Sequence, residues 1–455
     1  MPARLRMRVS SSGREARLSG TSCTAPPRRF AISLVLNGGE IVKHIGNFLV
    51  SVAVSLSVFA TVSAAETVKI AVIVGLSGTN AIYGEGQLNA FNAAAELINE
   101  QGGVLGGKKI EIVPMDHKNT PQEALIQLRR AIDEDIHYVG STVSSIVHAL
   151  SDAVAKHNAR NPDQAIVLLN FNALDPALTE AKCNFWHFRF ESHTDMQLMA
   201  LTNFMATQNS IKKVYLLNQD YAYGQSVSHG AREQLTAKRP DVAIVADELI
   251  PLAKVKDFAP YVAKIRASGA DSVLTGNWGS DLSLLLKASN ETGLKANYYT
   301  LLAAGFGTPA AIGAAGDRMK TIYSWHLNAT DAKWERIILD FRNKYKTNAD
   351  LAYMPAFRTL DMVAAAMDKA GTNDPKKVAY ALEGMHVAGP TGDAWMRAED
   401  HQAIGPIYVM SFVKAGQPGA KHDIEGTGYG WKTDAVLNPQ EVIPPMRCTM
   451  ERPPM

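Results

Sequence analysis

An apolar run followed by closely spaced glycines sets the pattern that most of this chain repeats. Residues 68–74 are continuously apolar and rich in β-branched side chains, which is typical of a strand covered on both faces, as in parallel sheets. The glycine-rich residues 75–86 predict a tight turn at the carboxyl end of that strand, and residues 87–101 predict a helix. Ligands of open α/β sheets lie at this end of the strands, so the turn is a candidate binding region.

The same unit of strand, turn and helix recurs along the chain in two sets. The first set ends at residues 185–190, whose alternating pattern indicates a crossover between domains. The second set spans residues 213–302 and is followed by a second candidate crossover at 321–326. This organisation predicts an α/β fold of two Rossmann-like lobes with parallel sheets, joined by a multi-strand hinge that can close around a small ligand.

The remaining segments complete the two predicted lobes. Three helices are expected between residues 331 and 384, a last strand at 404–410, and an ordered loop over the Gly- and Pro-rich residues 416–455. The predicted organisation is a leader over residues 1–65, an N-terminal lobe of residues 66–188 plus 325–392, and a C-terminal lobe of residues 189–324 plus 393–455.

The leader differs from the rest of the chain in charge. Residues 1–43 hold eight Lys or Arg and two Glu, so the net charge of +2 comes from this region and indicates no nucleic-acid partner. Residues 45–60 are apolar and are followed by small residues, which predicts a signal peptide cleaved near Ala65 and a periplasmic protein. A membrane anchor is the alternative, although the apolar run is shorter than the about 20 residues that span a bilayer.

Cysteine usage fits an oxidising compartment. Cys23 lies in the leader, which leaves Cys183 and Cys448 as an even pair in the exported chain. We expect these two to form a disulfide that ties the C-terminal tail to the middle of the chain. Two buried free thiols are the alternative.

The sequence offers no catalytic or cofactor-binding constellation. It contains no phosphate-binding loop and no Gly-x-Ser-x-Gly elbow, and Gly84-Glu85-Gly86 lacks the third glycine of a dinucleotide fingerprint. His187 and His193 do not have the spacing of metal ligands. We therefore expect no cofactor, no metal and no enzymatic activity, and a hydrolase that uses the same cleft is the alternative.

Several residues at predicted strand ends are suited to holding a small molecule. Ser144 and Ser145 open a predicted helix, where backbone N–H groups and hydroxyls can bind a carboxylate, although the same pattern fits a simple helix cap. Tyr83, Tyr223 and Trp278 each follow a predicted strand, where a ring can cover a ligand or pack beneath a turn.

These motifs in this order resemble the periplasmic leucine/isoleucine/valine-binding proteins, the type I solute-binding components of ABC importers. The most specific part is the run Ile-Asn-Glu-Gln-Gly-Gly-Val-Leu-Gly-Gly at residues 98–107, together with the Tyr-Gly pairs. The resemblance implies a small organic solute and a membrane permease as partners, and a monomeric protein. The segments that carry it within residues 66–415 are 70–78, 83–84, 98–107, 172–179, 188–190 and 221–224.

The resemblance also implies roles for individual residues. The serine that holds the ligand carboxylate in that family matches Ser144, and the two aromatic residues that flank the ligand match Tyr83 and Tyr223. The Ala-Thr pair that helps to bind the α-amino group matches Ala173 and Leu174, so the threonine hydroxyl is missing here.

The acidic residue that pairs with the ligand ammonium in that family matches Ala304, and residues 302–307 contain no acid. Desolvating an ammonium without a carboxylate partner costs on the order of several kcal/mol. The site is therefore better suited to a carboxylate with an apolar or aromatic body, with Trp278 and Phe306 as candidate walls. A genuine branched-chain amino acid binder and a receptor domain of the same fold are the alternatives.

Overall fold

The computed structural model describes residues 67–78, 81–348, 353–389 and 392–455. The predicted leader and its cleavage site near Ala65 lie outside these ranges. Within them, no helix combines the length and the apolar character that crossing a membrane requires.

The first sheet has five strands, all parallel, in the order β2-β1-β3-β4-β5. At its centre Ile70 pairs with Ile112 on one side and Tyr138 on the other. Ile70 and its neighbours up to Val74 are fully buried, because helices cover both faces of the sheet, as the unbroken apolar run predicts. The strands are β1 (Thr67–Val74), β2 (Lys109–Asp116), β3 (Tyr138–Thr142), β4 (Val167–Asn172) and β5 (His187–Arg189).

Three helices connect the first four of these strands: α1 (Ala81–Glu100), α2 (Pro121–Asp133) and α3 (Ser144–Arg160). The second begins as its sequence predicts, with Pro121 in the first turn and the Thr120 Oγ1 accepting from the Glu123 N–H at 3.2 Å. The predicted start of the first helix at Gln87 is wrong, since the glycine-rich residues 81–86 are already helical.

The second sheet repeats the strand order of the first in the arrangement β7-β6-β8-β9-β10, again all parallel. Its strands are β6 (Lys213–Gln219), β7 (Ala243–Ile250), β8 (Ser272–Thr275), β9 (Asn297–Thr300) and β10 (Met319–Tyr323). Its helices are α4 (Thr194–Ala206), which the sequence did not predict, α5 (Ala222–Lys238), α6 (Ala259–Ser268), α7 (Gly279–Glu291) and the short α8 (Thr308–Ile312).

The rest of the chain returns to both sheets. Helices α9 (Ala332–Tyr345), α10 (Tyr353–Ala370) and α11 (Pro375–Leu382) follow, and α10 packs on α1. A small antiparallel sheet comes next, with β11 (His386–Gly389), β12 (Gly392–Met396) and β13 (Ala403–Ile404). Finally β14 (Ile407–Lys414) and β15 (Tyr429–Leu437) extend the second sheet beyond β10 with antiparallel pairing.

Three sequence predictions need correction. The two segments predicted as crossovers are strands in part, because β5 lies within 185–190 and β10 overlaps 321–326, and the chain changes lobes directly after each. The tail 416–455 is not all loop, since Tyr429–Leu437 pairs along the length of β14. Tertiary pairing creates this strand, which the surrounding glycines and prolines conceal in the sequence. The exact lobe boundaries stay a prediction.

Buried polar groups fix the segments that connect the lobes. The Glu191 carboxylate, just after β5, accepts from the Ser324 hydroxyl, just after β10, at 2.7 Å. The Gln402 side chain donates to the Glu191 carbonyl at 2.8 Å and accepts from the Arg189 Nε at 2.6 Å. All these residues except Ser324 (2% exposed) are fully buried, so the hinge segments are tied to one another.

The predicted disulfide between Cys183 and Cys448 is present. It holds the tail beyond β15 together with two further contacts, one between Arg452 and Glu383 at 3.0 Å and one from the Tyr380 hydroxyl to the Pro453 carbonyl at 2.5 Å. The tail therefore begins in the second sheet and ends against residues packed on the first.

Candidate functional site

The order of the strands marks a point in each sheet where ligands are expected. In the first sheet the chain passes from β1 to β2 on one side and from β3 to β4 on the other side. In the second sheet it passes from β6 to β7 on one side and from β8 to β9 on the other. A crevice forms outside the carboxyl ends of the strands at such a topological switch point. The residues that follow these four strands are therefore the candidates for the site.

Two Tyr-Gly pairs occupy equivalent places after β1 and β6. Tyr83 and Tyr223 lie in the first turns of α1 and α5, each followed by a glycine. A Cβ on Gly84 would lie 2.1 Å from the Gly75 carbonyl oxygen, and one on Gly224 would lie 1.8 Å from the oxygen of Gln219. Only glycine lets each helix begin this close to the strand end, and this holds the neighbouring tyrosine at the crevice.

Ser144 and Trp278 occupy the corresponding places after β3 and β8. Ser144 is the first residue of α3, and Trp278 caps the N-terminus of α7. The Ser144 Oγ accepts from the Asp175 N–H at 3.2 Å, which leaves the hydroxyl hydrogen of Ser144 for another partner. Val143, between β3 and Ser144, has φ of 68°, a conformation that is rare for a β-branched residue and is found at functional sites.

The side chains from both lobes surround one small cavity of about 40 Å³. Five predicted residues line it: Tyr83, Ser144, Leu174, Tyr223 and Trp278. None of the described residues that line it is charged, so neither lobe presents a carboxylate or an ammonium to a ligand. The other lining residues, which the sequence reasoning missed, are Thr142, Val143, Asn172, Tyr221 and Leu302.

Aromatic contacts across the cavity show that the lobes are closed. The Tyr83 ring lies with its centroid 5.7 Å from that of Trp278 and 6.1 Å, edge to face, from that of Phe306. Gly305 packs so tightly on Tyr83 that a Cβ there would lie 2.4 Å from the ring. The second lobe therefore rests directly on Tyr83 of the first.

The tyrosines of the cavity are hydrogen-bond donors at neutral pH. Burial raises the pKa of Tyr83 to about 12, although the hydrogen bond from Asn172 opposes the shift. Burial likewise raises the pKa of Tyr221 and that of Tyr223 above the ordinary range for a phenol. Together with Ser144 and the N-terminus of α3, these hydroxyls make a surface that suits an anion.

Four predicted site residues do not line the cavity. Ser145 is partly buried outside it, and Ala304 is buried in the loop after β9. The backbone of Ala173 bonds to the side chain of Asn170 instead, at 2.6 Å for the N–H and 3.0 Å for the carbonyl. Phe306 packs against Tyr83 beside the cavity. It therefore contacts a lining residue but is not itself part of the lining.

The missed residues carry weak or no sequence signals. Tyr221 stands in the same Tyr-Ala-Tyr-Gly motif as Tyr223, but the motif alone does not say that both rings face the ligand. Asn172 ends β4, and its Nδ2 donates to the Tyr83 hydroxyl at 3.1 Å. Leu302 reaches the cavity from the loop after β9, which depends on the tertiary packing.

A larger hollow of about 350 Å³ lies near the outer rim of the cleft, on the other side of Phe306. One of its charged groups is already engaged, because the Glu425 carboxylate accepts from the Gly307 N–H at 2.6 Å and from the Ala310 N–H at 2.7 Å. Of the segments that follow the four switch-point strands, only α1 is among the described lining of this hollow. The smaller cavity is therefore the better candidate, although its volume is lower. In the ranges that the structure describes, no cluster of three or more His, Cys, Asp or Glu could hold a metal ion.

Comparison with known proteins agrees with this geometry. Residues 67–417 match the sequence model of a family described as periplasmic binding protein. The chain belongs to this family. It is similar to Leu/Ile/Val-binding protein homolog 4 of Brucella abortus, with 33% identity over 86% of this chain and 94% of the relative.

Solved structures support the same assignment. This periplasmic binding protein resembles the leucine-, isoleucine-, valine-, threonine- and alanine-binding protein of Brucella ovis in its closed conformation, with a TM-score of 0.78, 29% identity and coverage of 86% of this chain and all of that one. It shares its fold with a solute-binding protein of an ABC transporter from R. palustris in complex with benzoate, with a TM-score of 0.70, 20% identity and coverage of 82% and 97%.

These findings make the chain a type I periplasmic binding protein of the Leu/Ile/Val-binding group. The relatives are named as binding proteins, and the description of the family is that of a periplasmic protein. The sequence-based fold, two α/β lobes joined by a hinge, is confirmed.

Proposed function

We propose that this protein captures a small carboxylate-bearing solute between its lobes and delivers it to the permease of an ABC importer. Aromatic or aliphatic acids are preferred over zwitterionic amino acids. The proposed contacts are the Ser144 hydroxyl and the N-terminus of α3 for the carboxylate, and Tyr83, Tyr221 and Trp278 around the apolar body.

This proposal rests on the absence of charged side chains among the described lining residues of the cavity. Hydroxyl and backbone N–H donors surround it, so a carboxylate finds partners. An α-ammonium group finds no carboxylate among the described lining residues, and Leu174 stands where the family has a threonine hydroxyl. A buried ammonium would therefore lose its hydration without gaining a charged partner.

A branched-chain amino acid is the second candidate, because the relatives from Brucella are named for such ligands. The benzoate complex of the R. palustris protein shows that this fold accommodates an aromatic carboxylate. The preference proposed for this chain rests on its own residues.

Calorimetric titration of ligand-free protein tests the proposal. Benzoate and isocaproate are titrated in parallel with leucine, and we expect at least one acid to bind at least about tenfold more tightly than leucine, a difference of about 1.4 kcal/mol. Micromolar binding of leucine with no binding of either acid would contradict it. Native mass spectrometry of protein purified from its own periplasm would identify a solute that copurifies.

The proposal includes export through the leader and action as a monomer. We expect intact-mass measurement of the periplasmic protein to give an N-terminus near Ala65, as the small residues at 63–65 predict. Retention of the leader in a membrane fraction would favour the anchor instead. Light scattering tests the monomeric state.

A further inference from the structure

Two polar atoms at the ligand cavity have no hydrogen-bond partner in the part of the chain that the structure describes. They are the Tyr223 Oη, from α5 in the second lobe, and the Asn172 Oδ1, from the end of β4 in the first. Tyr223 is 2% exposed. Buried polar groups in native proteins are nearly always paired, so these two atoms call for an explanation.

Three other aromatic side chains of the cavity, those of Tyr83, Tyr221 and Trp278, do have protein partners. The Tyr83 hydroxyl oxygen accepts from the Asn172 Nδ2 at 3.1 Å, and the Tyr221 hydroxyl oxygen accepts from the Trp278 Nε1 at 2.9 Å. The protein therefore fixes the positions of Tyr83, Asn172 and Tyr221 by hydrogen bonds. Tyr223 is fixed by packing alone, close to Gly276, where an added Cβ would lie 3.3 Å from its hydroxyl.

The conclusion does not depend on how the Asn172 amide is oriented. With Nδ2 towards Tyr83, the free atom is an acceptor oxygen; with the amide turned over, the oxygen accepts from the Tyr83 hydroxyl and the free atom is a donor nitrogen. In both orientations one amide atom is left for a ligand. A hydroxyl group can both donate and accept, so it suits either orientation and also accepts from Tyr223.

We propose that the solute carries a hydroxyl group in addition to its carboxylate, and that Asn172 and Tyr223 recognise this hydroxyl from the two lobes. The proposal rests on the proposed function, because it assumes that a carboxylic acid occupies this cavity. It narrows the ligand to hydroxylated acids and makes Asn172 and Tyr223 specificity-determining residues.

A hydroxyl fits these atoms better than an amino group does. An ammonium can donate to the Tyr223 oxygen, but it cannot accept the Tyr223 hydroxyl hydrogen, which burial keeps in place by raising the pKa of Tyr223. That hydrogen would stay without an acceptor. The ammonium would also enter a cavity whose described lining has no carboxylate. Because Asn172 and Tyr223 belong to different lobes, a ligand hydroxyl between them would also favour the closed form.

The test compares acids that differ only by one hydroxyl. Benzoate is titrated against its three monohydroxy derivatives, and isocaproate against its α-hydroxy derivative, by calorimetry with the full mature protein. We expect at least one hydroxylated acid to bind about tenfold or more tightly than its parent, since a site built to bond a hydroxyl discriminates against the analogue that lacks it.

Variants of Asn172 and Tyr223 test whether these residues recognise the ligand hydroxyl. Asn172→Ala and Tyr223→Phe should each reduce the preference for the hydroxylated acid, measured as the ratio of the two affinities in the same variant, to about threefold or less. Tyr299→Phe is the matched control, because Tyr299 is a buried tyrosine on β9 that does not line the cavity, and the preference should be unchanged. Thermal unfolding checks that each variant folds.

The outcomes separate this inference from the proposed function. Parent and hydroxylated acids that bind equally well overturn the inference and leave the proposed function standing. A preference that survives in both Asn172→Ala and Tyr223→Phe overturns the assignment of these residues. If neither the parent acids nor the hydroxylated acids bind, both proposals fail.

Discussion

Single residues decide what this cavity can hold. Ser144 stands at the N-terminus of α3, with its oxygen occupied by the Asp175 N–H and its hydrogen left to donate. Leu174 lines the wall without a hydroxyl, and the described lining has no acid. These identities are readable in the sequence, but their common orientation towards one point is not.

The first prediction concerns the carboxylate contact. Ser144→Ala should weaken binding of the preferred acid by about tenfold or more, because a hydrogen bond to a charged group contributes about 1.5–3 kcal/mol. Calorimetric titration measures the change. Ser145→Ala, one residue further along the same helix, removes a hydroxyl that does not line the cavity and should change the affinity less than threefold, about 0.65 kcal/mol. Equal losses in both variants would place the carboxylate elsewhere.

At the scale of elements, the close approach of α1 to β1 and of α5 to β6 places both tyrosines. Each approach depends on a glycine with no room for a side chain. The glycines look like turn formers in the sequence, whereas in the structure they are helical residues that pack against a carbonyl group.

Gly224→Ala should therefore displace the start of α5 and with it Tyr223. We expect affinity for the preferred acid to fall at least about tenfold and the free energy of unfolding to fall by about 1–3 kcal/mol, as for other overpacked sites. Gly140→Ala is the control, because a Cβ there would make ordinary contacts of 3.6 Å or more. Normal binding by the Gly224→Ala variant would show that the start of α5 does not determine the position of the Tyr223 ring.

Helix α10 contains an aspartate, Asp361, whose ionised form is disfavoured by burial. Asp361 lies beside Trp334 and Met354, and burial raises its pKa to about 6, although Lys333 opposes the shift. A carboxyl group whose folded-state pKa is raised binds protons more readily in the folded protein. The stability therefore falls as the pH rises from the ordinary pKa of 3.8, below which both states are protonated, to above about 6, where both are ionised.

Asp361→Asn removes this dependence. We expect the variant to be more stable than the original protein at pH 7 by about 1–2 kcal/mol, a figure reduced for partial solvent exposure, and the difference to disappear below about pH 4. Urea unfolding at several pH values measures it. A constant difference across the range would mean that Asp361 does not titrate with a raised pKa.

At the scale of the whole molecule, the tail provides a connection between the lobes in addition to the hinge segments. It leaves the second sheet at Leu437 and is fastened to Cys183 through Cys448, with Arg452 and Tyr380 making further contacts beyond the disulfide. The disulfide joins residues separated by 265 positions. Long closed loops restrict the unfolded chain most.

Replacing Cys183 and Cys448 together with serine should lower the free energy of unfolding by about 2–5 kcal/mol. Amide hydrogen exchange should also become faster in the tail after residue 443 than in β14 and β15, since the sheet pairing does not need the disulfide. Glu180→Gln, which weakens the ion pair between the exposed Arg447 and the mostly buried Glu180, should lower the free energy of unfolding by less than the loss of the disulfide does. Unchanged exchange in the double variant would show that the noncovalent contacts alone hold the tail.

The sequence by itself determined the repeated α/β units, the two-lobe organisation and most of the helices, because apolar periodicity and helix caps are local signals. It also predicted that Tyr83, Ser144, Tyr223 and Trp278 follow strands, and in the structure they follow the four strands at the switch points. Tertiary structure alone decided the start of α1, the strand β15 and the positions of Asn172 and Leu302 at the cavity. These depend on which groups from distant parts of the chain come within contact distance, and no local pattern in the chain records that.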